Sequence, residues 1–199
     1  MRSFTSRFFV LAAIAATVSF GSAQAAQAQS ETINGTMITF PSGRSTRTRT
    51  SDFRLIINSQ TSPDKAQQFL ATLQEGGQDR LMDAIKKEDI GRFSVGPRVG
   101  VPINVVYETS EDGKRKIYVL FERWMEFAEI RGGYRSTDYP FGYLELLIDP
   151  ASGKGEGTYI AAARVRWVQD KKTDNYHIEV ENFATWPSRL TFKTDRKVN

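Results

Sequence analysis

From Ile90 to the C-terminus, apolar residues recur mostly at every second position, the spacing that turns one face of a β-strand toward a core. Phe93 and Val95 predict a short strand, and Ile103, Val105 and Tyr107 another. Leu144, Leu146 and Ile148 alternate with Tyr143, Glu145 and Leu147. Tyr159, Ala161, Ala163, Val165 and Trp167 share a face opposite Arg164 and Arg166, and Tyr176, Ile178 and Val180 follow the same rule. Leu190 with Phe192 predicts the last strand. Ile117 to Phe121 is apolar on both faces, which predicts a central strand. Asp112-Gly113 before it suits a tight hairpin, because such turns require positive φ. Earlier in the chain, Phe53, Leu55 and Ile57 form a strand pattern, and Met37 to Phe40 a shorter one closed by Pro41-Ser42-Gly43.

Only one region has helical spacing. Ser62 is a suitable N-cap, Pro63 fits the first helical position, and Asp64 suits the positive end of the dipole. Ala66, Phe69, Leu70 and Leu73 then make one apolar stripe, and Gly76-Gly77 predicts a stop. A second helix from about Gln78 to Lys87 carries Leu81, Met82 and Ile85 on one side. Two short amphipathic helices must cover a sheet to bury their stripes. The expectation is an α+β fold: a mostly antiparallel curled sheet or barrel of about 8–9 strands, with two short helices inserted near the N-terminus. Residues 51–199 form one domain in this reading, preceded by a polar arm over 29–50 that carries Arg44, Arg47 and Arg49.

Residues 1–28 change the picture of where this domain works. Arg2 and Arg7 precede an apolar run from Phe8 to Phe20, followed by Ala23-Gln24-Ala25 and Ala26-Gln27-Ala28. That is the order of a secretory signal peptide, cleaved after Ala25 or Ala28. The run is thirteen residues long, against the roughly 20 that a spanning helix needs, so no membrane span is expected in the mature form. Removing the leader lowers the net charge from +4 to about +2, with both signs interleaved, and this argues against nucleic acid as a partner. The chain has no cysteine, which excludes disulfides, thiolate metal sites and cysteine nucleophiles.

Several residue groups invite a chemical reading. His177 shares a strand face with Glu179 and Glu181, but alternate strand residues stand about 7 Å apart, awkward for one small ion. A solvated face is expected there, and no metal. Gly153-Lys154-Gly155-Glu156-Gly157-Thr158 lacks the spacing of a phosphate loop and reads as a glycine-rich turn between strands. Glu122, Glu126 and Glu129 are close in sequence, as charges on a solvated face commonly are. No catalytic residue and no cofactor are assigned.

The strongest candidate is the loop from Arg131 to Gly142. Arg131 and Arg135 offer bidentate contacts to a carboxylate or phosphate, while Tyr134, Tyr139 and Phe141 offer flat rings for an apolar or sugar face. The competing structural reading has Asp138 capping a turn and the aromatics plugging one end of the sheet.

Gly76-Gly77-Gln78-Asp79, Ser136-Thr137-Asp138-Tyr139-Pro140-Phe141-Gly142 with Leu144-Glu145-Leu146, and Gly155-Glu156-Gly157-Thr158 together resemble a group of exported bacterial proteins of unknown function. The resemblance runs from about Gly35 to Thr191 and implies a bacterial exported context, with no activity attached. The expectation is a periplasmic or secreted, non-enzymatic binding module for a small amphipathic ligand or a cell-envelope component. One alternative is an envelope assembly protein working through the Arg44, Arg47 and Arg49 edge. Another is a hydrolase using Glu122, Glu126 or Glu145.

Overall fold

The computed structural model describes residues 30–41, 47–125, 127–170, 176–183 and 186–196. The leader, the Ser42-Gly43 turn, Arg44 and Glu126 lie outside the described residues. Ten strands and little helix among the described residues make the fold mainly β rather than α+β. In chain order the strands are β1 Glu31–Thr39, β2 Arg49–Ile57, β3 Gly91–Val95, β4 Val101–Pro102, β5 Val105–Glu111, β6 Lys114–Glu122, β7 Phe141–Ile148, β8 Lys154–Gln169, β9 Tyr176–Asn182 and β10 Ser188–Thr194. Helix α1 spans Pro63–Ile85, α2 spans Phe127–Arg131, and a 3-10 turn covers Arg135–Asp138. None of the described helices is long and apolar enough to cross a membrane.

All pairings are antiparallel, in the order β4-β3-β2-β1-β10-β8-β7-β6-β5, with β9 added beside the second half of β8. The two ends of this order, β4 and β5, are joined by Ile103 and Asn104 alone. Ile103 N–H donates to Gly91 O at 3.0 Å on the β3 side, and Asn104 N–H to Leu120 O at 3.2 Å on the β6 side. One bent stretch of chain therefore carries both ends of the sheet, which curls into a half-barrel around its inner face. Thr61 N–H donates to Val106 O at 2.9 Å, so the segment after β2 covers part of the β5 edge.

The inner face is filled. Ile33, Leu55, Ile117, Leu144, Leu146 and Leu190 line it. At its centre, Phe93 lies 5.0 Å from Tyr159, 5.7 Å from Phe121 and 6.1 Å from Phe53, centroid to centroid. Room for these rings comes from β8. A Cβ on Gly155 would sit 2.4 Å from the Phe192 ring, and one on Gly157 would sit 2.7 Å from Leu146. The run Gly153–Thr158 is thus a turn only at its first residue. Asp149 and Ser152 shape that turn, and Gly155 and Gly157 are inward strand positions over which large side chains lie.

The outer face of β7, β8 and β9 carries a second apolar layer. Phe141, Tyr143, Ile160, Ala163, Val165 and Val180 pack there against Leu73, Leu81 and Ile85 of α1. The helix begins as its sequence predicts, with Ser62 Oγ accepting from Lys65 N–H at 3.3 Å. It follows the second strand rather than standing near the N-terminus, and Gly76-Gly77 interrupts it as the sequence predicts, leaving two helical segments on either side of a non-helical Gly77. Gly77 has φ 69° and ψ −168°, a conformation that is nearly exclusive to glycine, and the helix resumes beyond it. The bend keeps both halves of the apolar stripe on the sheet.

Two strand faces differ from the period-two expectation. Between Phe141–Ala163 and Tyr143–Ile160 the β7–β8 register shifts, so Tyr159 points into the half-barrel, Ala161 is exposed, and Ala163 and Val165 face α1. At Asn104 the chain switches partners, and Val106 rather than Val105 follows Ile103 into the inner core.

Candidate functional site

The connections β1–β2, β6–β7 and β9–β10 all leave the same end of the sheet, as the pairs Thr39–Arg49, Ile38–Arg189, Glu122–Phe141 and Ala163–Asn182 require. The β6–β7 connection, residues 123–140, is organised by one side chain. Arg123 N–H donates to Pro140 O at 3.0 Å and closes the neck of the loop. Its guanidinium then donates to Tyr139 O at 2.6 Å, to Ser136 O at 2.7 Å and to both carboxylate oxygens of Glu129. Arg123 and Glu129 are only 10% and 15% exposed, so the ion pair lies beneath the loop.

The apolar residues of the same loop lie outside. Trp124, Phe127, Ile130 and Tyr134 are between 58% and 79% exposed. Phe127 and Ile130 lie on α2, which turns them away from the protein, and Trp124 and Tyr134 flank that helix on either side. The loop is therefore inverted relative to an ordinary surface segment: charge is tucked in and large apolar side chains are held in water. The neighbouring β9–β10 connection adds Phe183 and Trp186, the latter 66% exposed.

The five candidate residues separate into two groups. Arg131, Tyr134 and Arg135 are on the surface of this end. Tyr139 and Phe141 are buried and support it from below. Phe141 belongs to the layer under α1. The Tyr139 hydroxyl donates to Glu181 Oε1 at 2.7 Å, and its ring meets Phe183 at 5.1 Å and the Arg164 guanidinium at 5.2 Å. Burial first, and the hydrogen bond to Glu181 second, push the Tyr139 phenol above its ordinary pKa, so it stays protonated and keeps donating at neutral pH. Tyr139 and Phe183 join the two aromatic loops into one surface.

Asp138 O accepts from Gln78 Nε2 at 3.0 Å and from Arg164 Nε at 3.3 Å. Gln78 follows the bend at Gly77, so that bend sets where the helix meets the loop. Trp124, Phe127, Ile130, Phe183 and Trp186 were absent from the sequence expectation. Their signal was apolar residues at helical spacing between a strand end and Gly132-Gly133, which predicts burial when burial is assumed rather than tested.

The other charged groups are engaged elsewhere. Glu179 and Glu181 each lie 3.2 Å from Arg166, and among the described residues no three histidines, aspartates or glutamates converge as metal ligands. Glu145 lies 3.1 Å from Lys116 and accepts from the Tyr143 hydroxyl. The opposite end of the half-barrel holds a buried network. Arg115 makes paired hydrogen bonds to Glu31 at 2.9–3.0 Å and to Glu108 at 2.8 Å, with Arg196 3.4–3.6 Å from both carboxylates. Its charges balance and its polar atoms are bonded, which makes it a structural plug. Arg49 begins β2 and Arg47 precedes it; β2 is an inner strand of the sheet rather than an edge strand, although β3 pairs with it only from Phe53 onward.

No protein-family model, curated protein or solved structure matches this chain.

Proposed function

We propose that this protein is an exported, non-enzymatic binding module, periplasmic or secreted, whose loop end engages an amphipathic ligand or an envelope component. The observation that carries the reading is the inverted loop. Each large apolar side chain left in water forgoes about 1.5–3 kcal/mol of burial, while the Arg123–Glu129 pair beneath fixes that orientation. Contiguous exposed apolar surface of this kind marks a contact site. Arg131, Tyr134 and Arg135 stand at its margin as polar contacts, and Tyr139 and Phe141 hold its base. The filled inner face of the half-barrel favours a ligand held on this end over one enclosed by the sheet. The secretory pattern of residues 1–28 supports export.

Anilinonaphthalene sulfonate, flat and apolar with one negative charge, tests the reading. Fluorescence titration of the processed protein should show saturable binding, and Arg135→Ala should weaken it about fivefold or more, the worth of one lost charge-assisted hydrogen bond. The melting temperature should stay within about 1–2 °C, because Arg135 is an exposed surface residue. Equal loss of affinity and melting temperature would make the loop structural. Absence of saturable binding would refute the module.

A further inference from the structure

Resting on that reading, we infer that the envelope component met by this end is a bilayer surface rich in anionic phospholipid. Trp124, Phe127, Ile130 and Trp186 enter the headgroup region, and Arg131 and Arg135 meet phosphate.

Three observations favour this occupant. First, the exposed side chains project from a short helix and a neighbouring loop rather than enclosing a cavity. Projecting apolar groups gain most from a partner that deforms around them. α2 turns Glu129 toward the protein and Phe127 and Ile130 outward, the orientation of an interfacial segment. Second, tryptophan and tyrosine favour the boundary between water and hydrocarbon, since each has an apolar ring and a polar atom. Trp124, Trp186 and Tyr134 are exposed at this end, and the β8–β9 hairpin that extends past it stacks Trp167 on Tyr176.

Third, the charge is complementary. Among the acids described here, Glu129 faces Arg123, Asp138 lies 3.8 Å from Arg164, and Glu122 lies toward Lys86. No ion pair among the described residues engages Arg131 or Arg135. Arg47, Arg49 and Arg189 lie at the same end, the last over the Phe40 ring. A second copy docked by two-fold symmetry would bring these arginines toward their own counterparts, which like-charge repulsion opposes. Anionic lipid phosphate matches them.

Co-sedimentation of the processed protein with vesicles tests the inference, using phosphatidylcholine alone and phosphatidylcholine carrying about a third phosphatidylglycerol. The anionic vesicles should bind it, with tryptophan emission shifted to the blue and binding weakened by salt. Replacing both Phe127→Ser and Ile130→Ser should reduce binding by at least about tenfold. Arg131→Gln and Arg135→Gln should each reduce it about fivefold, on anionic vesicles only. No sedimentation with either vesicle, equal sedimentation with both, or anionic binding unchanged by the Phe127/Ile130 replacement would overturn the inference. Where vesicles fail and anilinonaphthalene sulfonate still binds, the lipid surface is wrong and the binding module stands. Failure of both removes both.

Discussion

Arg115→Ala is expected to destabilise the protein by about 3–5 kcal/mol, because removing one partner strands buried charge that only a more distant cation faces. Arg115 stands at the start of β6 with its guanidinium between Glu31 of β1 and Glu108 of β5. Without it, Arg196 is the remaining cation, at 3.4–3.6 Å from both carboxylates. Thr194 Oγ1 still donates to Glu31 at 2.5 Å, which satisfies a lone pair but supplies no charge. For a domain of this size the melting temperature should fall by on the order of 10 °C.

The pH dependence separates this account from simple loss of packing. In the parent protein, the hydrogen bonds from Arg115 hold the Glu108 carboxyl below its ordinary pKa. A depressed carboxylate contributes stability that is present above the unfolded-state pKa and is lost as pH falls through the folded value. The parent should therefore weaken on acidification through and below the ordinary glutamate range. In Arg115→Ala the sign reverses, since a buried carboxylate short of cations is destabilised in its charged form and its folded pKa rises. That variant should gain stability as pH falls from neutral toward the glutamate range. Thermal melts across pH, read against each other, check both slopes.

Arg123→Ala is the second large effect, and it falls on the site. The substitution removes the cation that faces Glu129 and the donors to the carbonyls of Ser136 and Tyr139. Losing one member of a buried pair costs about 3–5 kcal/mol where the structure cannot open, but this loop is an excursion from the sheet. The loss should appear as local opening of residues 123–140, with faster hydrogen exchange there and a smaller fall in melting temperature than for Arg115→Ala. Binding of anilinonaphthalene sulfonate should drop at least about tenfold, because the orientation of α2 depends on the pair beneath it. Unchanged exchange in this segment would show that the loop holds its shape without Arg123.

The strands were legible because the inner face obeys a period of two. Phe53, Leu55 and Ile57 all point inward, as do Leu144, Leu146 and Ile148. The helix start at Ser62-Pro63 was legible because capping is local chemistry. Where a residue's environment depends on distant chain, the pattern misleads. Ala161 fits the alternation but is exposed, because the β7–β8 register shift alters which way the side chains point. The helix break at Gly76-Gly77, by contrast, follows its composition, and Leu81 and Ile85 of the second segment pack on the sheet beyond it. The loop end shows the same limit more sharply. Trp124, Phe127 and Ile130 have the spacing of a buried stripe. Nothing local states that the ion pair Arg123–Glu129, six residues apart, takes the inner side in their place.

The chain carries three tryptophans, and they are placed to decide the central claim. Trp124 and Trp186 are largely exposed, while Trp167 is half-buried and stacks on Tyr176 at 5.7 Å in the β8–β9 hairpin. Titrating anilinonaphthalene sulfonate into nitrogen-labelled protein and following the three indole N–H signals tests it directly. The account predicts that Trp124 and Trp186 shift together and saturate at one affinity while Trp167 stays in place. A shift confined to Trp167, or none at all, would contradict it.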